Sequence, residues 1–210
     1  MSNILLLTSS PRGAASHSSA VARDLAERLA AGTPGVTITA RDLAADPVPH
    51  IDGVFLAAVF SAHPESLLDG QREALERSEA AIAQLLAADT IVIAAPMINF
   101  SVPTTLRAWF DNILRVGKTF RYTEAGAEGL VKGKKVYLVT ASGGVYSDGA
   151  MKVMDFQVPY LKALLGFIGL TDVEVISVEG VAFGPEHAEK AVAAAHAQVA
   201  ATAPGEARAA

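Results

Sequence analysis

The chain has 210 residues, half of them apolar, with 17 basic against 22 acidic side chains, so one soluble domain with a single well-buried core is expected. The modest negative charge argues against nucleic acid as a partner, because phosphate backbones need a concentrated basic surface. The absence of cysteine excludes disulfides, thiolate metal sites and cysteine nucleophiles.

Asn3 to Thr8 is a short apolar run that reads as a buried first strand. It begins without a basic leader and ends too soon for a signal peptide, and no stretch approaches a membrane span. A cytoplasmic location is therefore expected. The loop Ser9–Ser18 follows. Val21, Leu25 and Leu29 then recur at helical spacing, predicting an amphipathic helix started by Ser18 or Ser19 and stopped near Gly32. Val36 to Asp42 alternates like an outer strand, which completes a βαβ unit.

Leu43 to Gly70 is broken by prolines, with room for one short helix over Val54–Phe60. A helix from about Gln71 to Ala88 is expected to bury Leu75, Ile82, Leu85 and Leu86. Thr90 to Ala94 is β-branched and apolar on both faces, as a central parallel strand should be. The loop after it, Ala95 to Val102, is bracketed by Pro96 and Pro103 and is expected to be stiff and non-helical. A helix follows with Leu106, Trp109, Phe110, Ile113 and Leu114 on its inner face. Lys118 to Thr123 alternates and Glu124 to Gly129 carries turn chemistry, predicting a hairpin excursion. Val136 to Thr140 and Val173 to Val178 are the last buried strands. They alternate with helices over Pro159–Ile168 and Pro185 to about Ala201, and the tail from Pro204 is expected to fray.

Five strands alternating with helices give a doubly wound α/β sheet of flavodoxin-like order 2-1-3-4-5, forming a single domain over residues 1–203. That order brings the loops Ser9–Ser18, Pro96–Phe100 and Ala141–Gly144 together at the switch point. The first offers clustered serines before a helix start, which suits a phosphate; the alternative, that they only cap the helix, is the weaker because one cap needs one serine. Its one nearby cation is Arg12. Asn99, the amides of Met97 to Phe100, and the close backbone approach allowed by Gly143-Gly144 suit a flat heterocycle. Phosphate and ring together describe FMN.

Competing chemistries lack their signatures. Gly129 to Lys135 resembles a P-loop but is one residue short and precedes a strand. No Gly-x-Gly-x-x-Gly follows the first strand, and no Gly-x-Ser-x-Gly elbow is present. The five histidines show no metal-ligand spacing. A phospho-receiver would carry acidic residues where Thr8 and Ala94-Ala95 stand.

The segments Ser9-Ser10, Ser16-His17-Ser18 and Ile91 to Phe100 carry a family resemblance. So do Gly117 to Thr123, Gly129 to Lys135 and Leu165 to Gly169. Over nearly its whole length the chain resembles the FMN-dependent NADH azoreductases, also described as FMN-dependent NADH:quinone oxidoreductases, of the flavodoxin-like superfamily. The resemblance implies FMN binding by Ser10, Ser16, His17, Ser18, Met97, Ile98, Asn99, Phe100, Ala141, Ser142, Gly143 and Gly144. It also implies a homodimer with a flavin site at each end of the interface. Phe120, Tyr122 and Phe167 are bulky aromatics on the hairpin and a late helix, and they are expected to roof the substrate pocket across that interface. Phe167 could instead be intramolecular core. Ile98 stands where the family commonly has tyrosine, and Ser142 where it often has arginine. Backbone contacts survive both changes, while the acceptor range and the choice between NADH and NADPH depend on them. The activity implied is ping-pong: hydride passes from NADH to the flavin, then two electrons pass to a quinone or azo compound, with no catalytic side chain and no metal. The alternative is a flavodoxin-type carrier without NADH oxidation of its own.

Overall fold

The computed structural model describes residues 2–203. The five main strands are β1 (Asn3–Thr8), β2 (Thr37–Asp42), β3 (Thr90–Pro96), β6 (Lys135–Ala141) and β7 (Val173–Val178). They form one parallel sheet in the order β2-β1-β3-β6-β7. Counted without the hairpin, this is the expected 2-1-3-4-5. The three middle strands are buried almost end to end, as their unbroken apolar runs require, whereas β2 lies at an edge and is largely exposed.

Successive side chains of each strand point to opposite faces, and this divides the core in two. Leu5, Leu7, Ile91, Ile93 and Leu138 pack against the helices α3 (Asp69–Ala87), α4 (Thr104–Ile113) and α5 (Val158–Ile168). Ile4, Leu6, Val92, Val139 and Ile176 pack against α1 (His17–Ala31) and α6 (Pro185–Thr202). Trp109, only 1% exposed, anchors α4 edge-on to Phe110 at 5.1 Å between ring centroids. The proline-broken stretch holds α2 (Gly53–Val59), capped by the Asp52 side chain.

Three expectations need correction. Helix α1 is capped by Ser16, whose Oγ accepts from the Ser19 amide at 3.3 Å, and not by Ser18 or Ser19. A cap must precede the first helical residue, and Ser18 and Ser19 already lie in the first turn. Leu86 is exposed, because Leu85 takes the inward position and the next residue is rotated about 100° around the helix. Glu124 to Gly129 is not all turn: Gly126–Gly129 forms β5 and pairs antiparallel with β4 (Phe120–Thr123). Gly129 is there because a Cβ would sit 2.2 Å from the Gly169 nitrogen, so the hairpin rests directly on the end of α5. The tail from Pro204 lies outside the described residues.

Candidate functional site

The loops after β1, β3 and β6 meet at the carboxyl edge of the sheet around a crevice of about 260 Å³. Its walls are Ser10, Pro11, Arg12, Ser16 and His17 from the first loop, Pro96, Met97 and Ile98 from the second, and Ala141, Ser142 and Gly143 from the third, with Val181 behind. This is the convergence expected at a topological switch point.

The first loop is built as an anion cradle. Ser9 is spent on structure, its hydroxyl donating to the Ala94 carbonyl at 2.8 Å and tying the ends of β1 and β3 together. Gly13, at φ 53°, lets the chain reverse, so that the Ser16 amide reaches the Gly13 carbonyl at 3.2 Å. Ser16 then caps α1 and meets the fully buried Ser18 hydroxyl at 3.2 Å. Ser18 therefore stands behind Ser16, outside the crevice wall. Among the described residues, the amides of His17 and Ser18 find no acceptor, and they open the positive end of the helix. Ser10 Oγ accepts from the Arg12 amide at 3.3 Å, which leaves its proton to donate.

The second loop is not the extended connection its prolines suggest. Ile98 and Ser101 exchange both backbone hydrogen bonds, at 2.9 and 3.0 Å, around Asn99 (φ 47°) and Phe100 (φ 69°). Two consecutive left-handed residues make a primed two-residue turn, a geometry that normally selects Asn-Gly. Asparagine tolerates it, whereas phenylalanine stores roughly 1–3 kcal/mol of strain there. Pro96 and Pro103 stiffen the ends but leave the residues between free to close on themselves. Closure also alters which amides are available. Met97 donates to the Ala141 carbonyl at 2.7 Å and Ile98 is paired within the turn, so of the four amides from Met97 to Phe100 those of Asn99 and Phe100 are the ones without an acceptor among the described residues.

In the third loop, the carbonyls of Ser142, Gly143 and Gly144 accept from Val181, Ala182 and Gly180 at 3.3, 3.0 and 3.0 Å. A trans peptide holds its N–H antiparallel to its carbonyl. The following amides, of Gly143, Gly144 and Val145, consequently face away from residues 180–182, and none has an acceptor among the described residues. The two glycines also admit neighbours: a Cβ on Gly143 would lie 3.3 Å from Ala182 Cβ, and one on Gly144 would lie 3.2 Å from the Tyr146 ring. Ser142 turns inward, donating to the Gly144 carbonyl at 2.8 Å.

The arrangement can hold a phosphate on hydroxyls and helix amides, and the polar edge of a flat ring on Asn99, Phe100, Gly143 and Gly144. Arg12 and His17 are the titratable residues in the crevice wall. No group of three or more His, Asp or Glu able to bind a metal occurs among the described residues. Phe120, Tyr122 and Phe167 are gathered elsewhere, with ring centroids 5.6 Å (Phe120–Tyr122) and 4.6 Å (Phe120–Phe167) apart. Tyr122 is 72% exposed and Phe167 38%, and none of the three lines the crevice of its own chain. Glu179 and residues 180–182, which hold the third loop in place, carry no motif in the sequence. Their one signal is their position just past the last strand of a sheet whose carboxyl edge carries the site.

A family model for the flavodoxin-like fold matches residues 2–203. A protein of Rhizobium johnstonii named FMN-dependent NADH:quinone oxidoreductase is 53% identical over 199 residues, covering 95% of this chain and 97% of that one. The chain belongs to the FMN-dependent NADH:quinone oxidoreductase family. A relative of the same name from Agrobacterium fabrum is also 53% identical, with the same coverage of both chains. Among solved structures, an azoreductase of Bacillus anthracis superposes with a TM-score of 0.89 at 29% identity, over 97% of this chain and 99% of that one. An FMN-dependent NADH-azoreductase of the same organism, in complex with FMN, gives a TM-score of 0.87 at 29% identity, over 97% and 100% of the two chains. Among the described residues no helix is long and apolar enough to cross a membrane.

Proposed function

We propose that this chain is an FMN-dependent oxidoreductase that takes hydride from NADH and passes two electrons to quinones or azo compounds. The observation that carries this reading is the set of unengaged amides on the three loops that build the crevice: His17 and Ser18 at a helix start, Asn99 and Phe100 just past the lining residue Ile98, and Gly143 and Gly144 in the third loop. Ser10, Ser16 and the α1 amides hold the phosphate of FMN, and the second and third loops hold the polar edge of its ring. The bound flavin supplies hydride and two-electron chemistry, and the protein's part is to bind, orient and place dipoles. Fixed amide dipoles on the ring edge favour negative charge on the reduced ring without any proton-transferring side chain.

The protein acts as a homodimer in which Phe120, Tyr122 and Phe167 of one copy cover the crevice of the other. The exposed rings of Tyr122 and Phe167, packed on the buried Phe120 outside their own crevice, support this arrangement. One crevice serves donor and acceptor in turn, which makes the kinetics ping-pong. The test is steady-state NADH oxidation by FMN-loaded protein at several fixed quinone concentrations. Parallel double-reciprocal lines are expected. Intersecting lines would refute the shared crevice, and an absence of NADH oxidation would leave a flavodoxin-type carrier.

A further inference from the structure

The third loop presents five successive amides, and they divide into two groups. Those of Gly143, Gly144 and Val145 are free to face a ligand. The next two, of Tyr146 and Ser147, both donate to Glu179 Oε1, at 2.7 and 3.0 Å, while Ser147 Oγ donates to Glu179 Oε2. Glu179 itself is rigidly placed. It follows β7, where Val178 still accepts from Ser142, and it precedes Gly180–Ala182, whose amides bind the carbonyls of the same loop. Its carboxylate therefore closes the far end of a loop whose near end is held through the Ser142 amide and its three leading carbonyls.

What Glu179 fixes reaches both flavin-facing segments. The Tyr146 ring lies so close to Gly144 that a Cβ there would be 3.2 Å away, and its edge meets the Phe100 ring at 6.0 Å between centroids. Phe100 is the strained residue of the second-loop turn, and its carbonyl is pinned by the Phe156 amide at 3.1 Å. Tyr146 is thus a wedge between the two amide-bearing loops, and Glu179 holds the backbone from which that wedge projects.

We propose that Glu179 is a positioning residue for the flavin site: it holds the Tyr146–Ser147 backbone so that Tyr146 keeps the Gly143–Gly144 and Asn99–Phe100 amides at a fixed separation. This rests on the FMN reading above. The role belongs to the reach and acceptor geometry of the side chain, not to its charge. Two substitutions separate those properties. Glu179→Gln keeps the reach and one carbonyl acceptor for both amides, and Ser147 Oγ can turn to accept from the new amide group. Glu179→Asp keeps the charge but withdraws it by one methylene, too far to hold both amides at 2.7 and 3.0 Å.

The experiment has two arms. In cofactor-free protein, amide hydrogen exchange at Tyr146 and Ser147 should be about tenfold or more faster in Glu179→Asp and within about threefold of wild type in Glu179→Gln. The tenfold factor corresponds to losing roughly one hydrogen bond, which Glu179→Gln retains. In FMN titrations, the dissociation constant should rise by about tenfold or more in Glu179→Asp, with a changed flavin absorption band, and Glu179→Gln should restore both. Wild-type behaviour of Glu179→Asp in either arm would overturn the proposal. So would equal impairment of both variants, or impairment of Glu179→Gln alone, which would assign the effect to charge. If wild-type protein bound no FMN, the flavin reading would fail, whereas the exchange arm would still report on the loop.

Discussion

Ser10→Ala tests the anion cradle most directly. Ser10 is 3% exposed and lines the crevice, and its hydroxyl accepts from the Arg12 amide while its proton remains free to donate to an anion. A hydrogen bond to a charged group contributes about 1.5–3 kcal/mol, so FMN should bind about 10- to 150-fold more weakly in the variant. Loss of the acceptor for the Arg12 amide adds little, because Arg12 is exposed and water can replace it. The decisive comparison is with riboflavin, which lacks the phosphate. Flavin fluorescence titrations should show the whole penalty with FMN and almost none with riboflavin. Ser18→Ala should cost less than Ser10→Ala, since the Ser18 hydroxyl turns to Ser16 and not to the crevice. Equal penalties for FMN and riboflavin, or no penalty with FMN, would refute the placement of the phosphate.

Gly129→Ala would drive a Cβ to 2.2 Å from backbone atoms of Ile168 and Gly169, which no rotamer change can relieve. Overpacking of at least about 3 kcal/mol should lower the melting temperature by roughly 6–12 °C, read by thermal unfolding of the cofactor-free protein. The α1–α6 contact predicts an acid sensitivity. Burial pushes the Asp24 carboxyl up, but bonds to His196 at 2.6 Å and Arg28 at 2.7 Å outweigh it, and its pKa is held below the usual value. A depressed carboxylate contributes stability above its unfolded pKa of about 3.9 and loses that contribution as pH falls from there through the folded pKa. Asp24→Asn should therefore cost about 1 kcal/mol in urea unfolding at pH 7, and the gap from wild type should narrow below about pH 4. A gap that did not change with pH would mean that the carboxylate's charge is not the source.

The sequence by itself determined the layers of this protein. Apolar runs such as Thr90–Ala94 are short, β-branched and lack a polar face, so they can only be central strands. Leu106, Trp109, Phe110 and Ile113 share one helical face and must point to a core. Strand order and the meeting of three loops followed from that alternation, because helical crossovers leave few topologies for a parallel sheet. The serine cluster and the Pro-Met-Ile-Asn-Phe run marked the site for the same local reason: their chemistry is carried by residue type and spacing.

Tertiary structure alone decided which groups remain free to bind. Ser9 and Ser10 are neighbours of one type, yet Ser9 is consumed by the Ala94 carbonyl while Ser10 faces the crevice. Met97 and Asn99 both have an amide, but that of Met97 is taken by Ala141, and only closure of the Ile98–Ser101 turn leaves that of Asn99 unengaged. Glu179 lies 32 positions from Ser147 and gives no local sign of the loop it holds. Backbone hydrogen bonds are made with whatever the fold brings within about 3 Å, and a partner distant in the chain leaves no periodicity or spacing to read.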